Sequence, residues 1–179
     1  MTYLLTFGCY GCYLPGEPGW VDRKRGYLEP SPALAADARR RMKHARYTLT
    51  QEEAFIVLEA IQEVCRCRGW GLTAAHIRTT HAHAVVDTAA SPHRAIGDFK
   101  AYASRRLNLV DERAIRWAAG GNAARLSSRE AIEAAADYVA NQQGQPMAVL
   151  LDRSWPESPA LRPGFARPER AAYRQPGDS

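Results

Sequence analysis

The sequence predicts an α+β domain: an antiparallel sheet of four to five strands with two helices on one face and a further helix near the C-terminal end. Three observations predict it. Alternating β-branched and aromatic stretches occur near the N-terminus and again around residue 80. Runs of apolar residues at helical period lie between and after them. Gly, Pro and Ser clusters separate the two kinds of segment. The chain has 179 residues and is 46% hydrophobic, which fits one domain with a sizeable core.

The elements follow in order. TYLLTFGCY (2–10) reads as a strand, and GCYLPGEPGWVDRKRGY as a loop set by Pro15, Gly16, Pro18 and Gly19. SPALAADARRRMKHA reads as a helix with Ser31 as N-cap and Pro32 in its first turn. The next helix is marked by the Thr50-x-x-Glu53 capping box, the apolar stripe Ala54, Val57, Leu58, Ile61, Val64 and Cys65, and Gly69 at its end. GLTAAHIRTT and HAHAVVD read as a hairpin of two strands. Ser91 and Pro92 open a helix with the stripe Ile96, Phe99, Ala103 and Leu107. RAIRWAAGGNAARL (113–126) reads as a strand or as a ribbon turning at Gly120-Gly121. Ser127 or Ser128 caps a last helix with the stripe Ile132, Ala135, Ala136 and Val139, and Gly144 stops it. Residues 1–150 thus form the domain, and 151–179, with five of the chain's eleven prolines, a tail expected to be extended or disordered. The order is that of the split βαβ, ferredoxin-like arrangement.

Charge and cysteine bound the function. The net charge of +5 leans towards anionic partners. Candidate phosphate-contacting cations are Arg23, Lys24 and Arg25 in the first loop, and Lys100, Arg105 and Arg106 on the helix after the hairpin. A solvated helix face explains the last three equally well. The basic run Arg39, Arg40, Arg41, Lys43 and Arg46 is open to the same two readings. No apolar run reaches the ~20 residues of a spanning helix, and the N-terminus lacks the pattern of a signal peptide, so no membrane association and a cytoplasmic location are expected. Cys9-x-x-Cys12 and Cys65-x-Cys67 read as ordinary thiols of a reducing compartment, because neither spacing gathers its sulfurs on one face.

Two of the five histidines, His81 and His83, fall in THAHAVVD. On a strand, residues two apart share a face, so both imidazoles can turn to one cation; two hydrogen-bonded structural histidines are the plainer alternative. On the last helix Tyr138 and Gln142 stand four apart, one above the other, away from the apolar stripe. That position suits a nucleophile that meets a large substrate, and also a tyrosine packed at the helix edge.

TTHAHAVVD, DFKAYASRRLN and AADYVANQQG, in this order and at these separations, resemble the HUH single-strand transposases with one catalytic tyrosine, the enzymes of small insertion sequences and the REP-associated tyrosine transposases. The likeness spans about residues 3–150 and includes the aromatic, Gly-rich FGCYGCYLPGEPGWVDR. The resemblance implies that His81, His83 and Gln142 hold a divalent metal, Mg²⁺ or Mn²⁺, and that Tyr138 attacks DNA to give a 5′-phosphotyrosine. It implies single-stranded or hairpin DNA as partner and a homodimer, possibly with exchanged tyrosine helices. Ala82, between the histidines, and the small residues of AAGGNAARL depart from the family pattern. The activity expected is a metal-dependent DNA nicking and strand transfer. The alternatives are a domesticated, non-catalytic binder of hairpin or single-stranded nucleic acid, and a hydrolase of small phosphoesters, which leaves Tyr138 without a role.

Overall fold

Strand β1 (Thr2–Gly8) carries alternation into the fold directly. Leu5 and Phe7 are fully buried on one face of the sheet, while Leu4 and Thr6 look to the other. A computed structural model describes residues 1–18, 20–22, 26–27, 29–113, 115–144 and 147–152. The triplet Arg23, Lys24 and Arg25 and residues 153–179 of the tail lie outside the described residues.

Past β1 come two short strands, β2 (Val21–Asp22) and β3 (Gly26–Tyr27), paired antiparallel within the segment expected to be loop. Helix α1 (Pro32–Arg40) starts at Ser31, whose hydroxyl accepts from Leu34 N–H. Helix α2 (Gln51–Arg68) has the full capping box: Thr50 accepts from Glu53 N–H, and the Glu53 carboxylate accepts from Thr50 N–H. Every residue of its expected stripe is buried, at roughly 1.5–3 kcal/mol for each large aliphatic side chain withdrawn from water. Gly69 ends it at φ 66°, a left-handed conformation that costs a side-chain-bearing residue.

The hairpin forms as β4 (Gly71–Ile77) and β5 (His81–Asp87), closed by Arg78 N–H donating to His81 O at 2.9 Å. Helix α3 (Pro92–Leu107) follows from the Ser91 cap, then β6 (Asn122–Leu126), α4 (Arg129–Asn141) from the Ser128 cap, and β7 (Ala148–Leu151). The sheet order is β6-β1-β5-β4-β7, with every pairing antiparallel. Strand β5 is inserted between β1 and β4, the pair that α2 connects, so the core is the split βαβ expected, widened at one edge by β7.

Helices α2 and α3 pack on the sheet face lined by Leu5, Phe7, Ala82, Ala84 and Val86. Helix α4 packs on the opposite face over Ala74 and Val85, through Ile132, Ala135, Ala136 and Val139. His83 and Val85 alternate with Ala82 and Ala84, so the histidines share the α4 face.

Two expectations change. Among the described residues of 113–126 the strand is Asn122–Leu126; Trp117 adds an isolated bridge to Cys9, and residues 118–121 form a loop. Lys100 fixes that loop by donating through Nζ to Ala118 O at 2.7 Å and to Gly120 O. The other change concerns the α3 cations, taken up below.

Candidate active site

The site is built where β4, β5 and the end of α4 meet. His81 and His83 stand side by side on β5 with ring centroids 4.8 Å apart. Each is held through Nδ1. His83 Nδ1 shares a 2.8 Å hydrogen bond with the hydroxyl of Thr6, its register partner on β1. His81 Nδ1 meets the Tyr13 hydroxyl at 2.8 Å and the Thr80 hydroxyl at 2.9 Å. Such anchoring orients both rings and leaves Nε2 of each as the second ring nitrogen, the one available to a further partner. His83 Nε2 is buried and has no hydrogen-bond partner. Burial above all, then neighbouring positive groups, lowers both imidazoles to about 4, so at neutral pH each is uncharged, the form a metal ligand requires.

Tyr138 comes to this pair within the same chain. Its ring lies edge to face on His83, centroids 6.4 Å apart and planes at 72°. The side chain is 43% exposed, so the phenol borders both the histidine pair and solvent.

Gln142 does not join them. Helix α4 ends at Asn141, and Gln142, the C-cap, leaves helical geometry at φ −112°, ψ 11°. Its backbone N–H still donates to Tyr138 O at 3.1 Å, but its side-chain amide donates to Asp137 at 2.8 Å on the exposed side. Gln143 takes the inward place. It is buried, its Nε2 donates to Tyr138 O at 3.5 Å, and its side chain favours protonation of His83, as an amide oxygen facing the ring does. Gly144, at φ 76°, then turns the chain away.

Two further residues of this pocket were not singled out from the sequence. His76 on β4 is the cross-strand partner of His83 and is fully buried. Its Nδ1–H donates to Val139 O at 2.8 Å, one of the last carbonyls of α4 that have no helical partner. Arg78 stands one residue past the end of β4; a Cβ on Gly144 would lie 3.3 Å from Arg78 Nη2. The guanidinium lowers the basicity of His76, His81 and His83 alike.

The other basic candidates lie elsewhere. Lys100, Arg105 and Arg106 are on α3, across the sheet from the histidines. Lys100 is the loop staple described above, Arg106 pairs with Glu59 and Glu63 at 2.9 and 2.8 Å, and Arg105 lies over the Tyr102 ring. All three have structural partners on that face. On the site's own side, Tyr13 and Thr80 line a cavity of about 240 Å³ together with Glu17, Arg39 and Arg46. Tyr13 holds this position at φ 59°, a strained backbone for a tyrosine.

Among the described residues no group of three or more His, Cys, Asp or Glu is placed to hold a metal, and Cys9, Cys12, Cys65 and Cys67 are free thiols. The residues here that could donate to an ion are the two imidazoles and the Gln143 amide oxygen. That neutral N,N,O set suits Mn²⁺ and other imidazole-binding ions better than Mg²⁺.

Fold and site together define a split βαβ protein with a paired-imidazole and tyrosine pocket on the face opposite α2 and α3. Its architecture is similar to that of a solved structure described as a REP-associated tyrosine transposase bound to a REP hairpin, at TM-score 0.44 and 12% identity, over 77% of this chain. This chain covers 63% of that one's length. No protein-family model and no curated protein matches the sequence. Among the described residues no helix is long and apolar enough to cross a membrane.

Proposed function

We propose that the protein is a metal-dependent single-strand DNA nicking and strand-transfer enzyme of the tyrosine-transposase type, acting on hairpin-forming DNA. The observation that carries this reading is the contact of the half-exposed Tyr138 ring with His83, whose Nε2 is buried and unpartnered. A half-exposed phenol, a neutral imidazole pair and a buried amide lie together at the end of α4. A small-molecule hydrolase would need no tyrosine there.

The phenol oxygen of Tyr138 attacks the phosphorus of one phosphodiester link. The bond from phosphorus to the 3′ oxygen breaks, a 5′-phosphotyrosine forms, and the phenolic proton ends on the released 3′-OH. His81, His83 and Gln143 would hold a divalent ion, which when bound would supply neutralisation of the phosphate charge. The residues of the chain do the rest. Thr6, Tyr13 and Thr80 fix the two rings, and His76 holds the end of α4 so that Tyr138 stays over His83. The cavity beside His81, with Arg39 and Arg46 in its wall, takes the anionic strand. Because the covalent link retains the phosphodiester energy, rejoining to another 3′-OH requires no nucleotide.

The test is an adduct assay. End-labelled hairpin oligonucleotides with single-stranded flanks are incubated with protein and Mn²⁺ or Mg²⁺, then resolved under denaturing conditions. A covalent species is expected with wild type and absent with Tyr138→Phe, which keeps its DNA affinity. Cleavage without attachment, or metal-independent binding with no cleavage, overturns the reading.

A further inference from the structure

Among the described residues Arg78 stands out by its place at the histidine site, while many arginines elsewhere have carboxylate partners. Arg39 pairs with Glu17, Arg40 and Arg41 with Asp37, Arg68 and Arg94 with Asp98, Arg106 with Glu59 and Glu63, Arg113 with Asp111 and Arg129 with Glu133. Arg78 has no carboxylate partner among the described residues, although it is partly buried. Its place is fixed from both ends. Its backbone N–H closes the hairpin onto His81 O at 2.9 Å, and its guanidinium lies beside Gly144, next to the buried Gln143. It stands one residue past the end of β4, and its guanidinium beside Gly144 lies at the close of α4.

A guanidinium beside the last turn of a helix commonly caps the free carbonyls. Two of those carbonyls are taken by other groups. Val139 O accepts from His76, and Tyr138 O accepts from Gln142 N–H and Gln143 Nε2. A half-buried cation without a carboxylate beside three neutral imidazoles costs solvation that nothing described in the protein repays. An anion would repay it, and the planar fork of arginine matches two oxygens of a phosphate.

We infer that Arg78 is the phosphodiester-binding cation of this site, contacting the non-bridging oxygens of one DNA link beside His81 and His83. This rests on the strand-transfer reading for the identity of the anion as a DNA link. It assigns to Arg78 the charge that grows on those oxygens as the phenol attacks and phosphorus becomes five-coordinate.

The experiment removes one charge at a time from each side. In a Tyr138→Phe background, which cannot cleave, binding of a labelled DNA hairpin is measured by anisotropy. Single neutral methylphosphonate links are scanned along its flanks. The expected result is one link at which the substitution weakens binding about tenfold with Arg78 present and less than twofold in Arg78→Gln. Arg78→Lys, which keeps the positive charge in a smaller head group, should retain much of the coupling and the wild-type melting temperature. An equal loss at every link in both proteins, or no link that couples to residue 78, overturns the proposal. Wild-type protein and the unmodified hairpin supply the second readout. If no adduct forms yet one link couples to Arg78, the strand-transfer reading fails and the anion site stands. If the adduct forms and nothing couples, the reverse holds.

Discussion

His76 and Val139 meet across 2.8 Å, a buried imidazole N–H on the sheet donating to a carbonyl at the end of the tyrosine helix. Sixty-three positions separate them in sequence, and their contact fixes where Tyr138, the neighbour of Val139, comes to rest.

Replacing His76 with Phe keeps the volume and removes the donor. An unpaired buried carbonyl costs about 1–3 kcal/mol, so the urea-unfolding free energy should fall by that amount. Amide exchange should accelerate around residues 138–144 before it does elsewhere. Unchanged exchange there would show that α4 is held by its apolar face alone.

The two adjacent glutamines separate cleanly. Gln143→Ala should weaken Mn²⁺ binding by roughly tenfold, the usual loss for a group that ligates or orients at a metal. Gln142→Ala, which gives up only an exposed bond to Asp137, should leave it within twofold. Calorimetric titration of the metal into each variant decides, and the opposite ranking would restore Gln142 as the ligand.

Acid should destabilise the metal-free protein through the histidines. In the fold His81 and His83 sit at about 4, against 6.5 for an imidazole in water, and His76 is lowered as well. Above 6.5 neither folded nor unfolded chain holds these protons. Between 6.5 and 4 the unfolded chain takes up protons that the fold refuses, so stability falls as pH falls; below 4 both states are charged and the decline levels off. Urea midpoints of chelator-treated protein should follow that course. The double variant His81→Asn, His83→Asn should flatten it, and an equal slope in both proteins would place the effect elsewhere.

The α3 cations should matter to the fold and not to DNA. Lys100→Met should loosen residues 118–121 and lower the melting temperature. Arg105→Gln and Arg106→Gln should leave the salt dependence of hairpin affinity unchanged, because the sheet stands between them and the site. A drop of about one in the slope of log affinity against log salt for either variant would mean that it contacts phosphate.

Much of this was legible before any coordinates. The capping box at Thr50 and Glu53, the stripes of α2, α3 and α4, and the hairpin with its paired histidines rest on local periodicity, which sequence displays. The approach of Tyr138 to His83 was expected from resemblance and is seen in the geometry. What the sequence hid depends on where a helix stops and on contacts between distant segments. Gln142 was read as stacked over Tyr138 by helical spacing, and its side chain, at the C-cap, is instead bonded to Asp137. His76 gains its meaning only from Val139, and Lys100 only from the 118–121 loop. Arg78 falls just past the end of β4, and neither its place beside Gly144 nor its lack of a carboxylate partner was visible in the sequence.

Tyr138 rests on His83 of its own polypeptide, so on the proposed strand-transfer reading each subunit would carry its own complete set of reacting groups. Mixing a Tyr138→Phe protein with a His83→Ala protein should then fail to regenerate activity. Dilution should leave turnover per subunit constant, whatever assemblies form at high concentration.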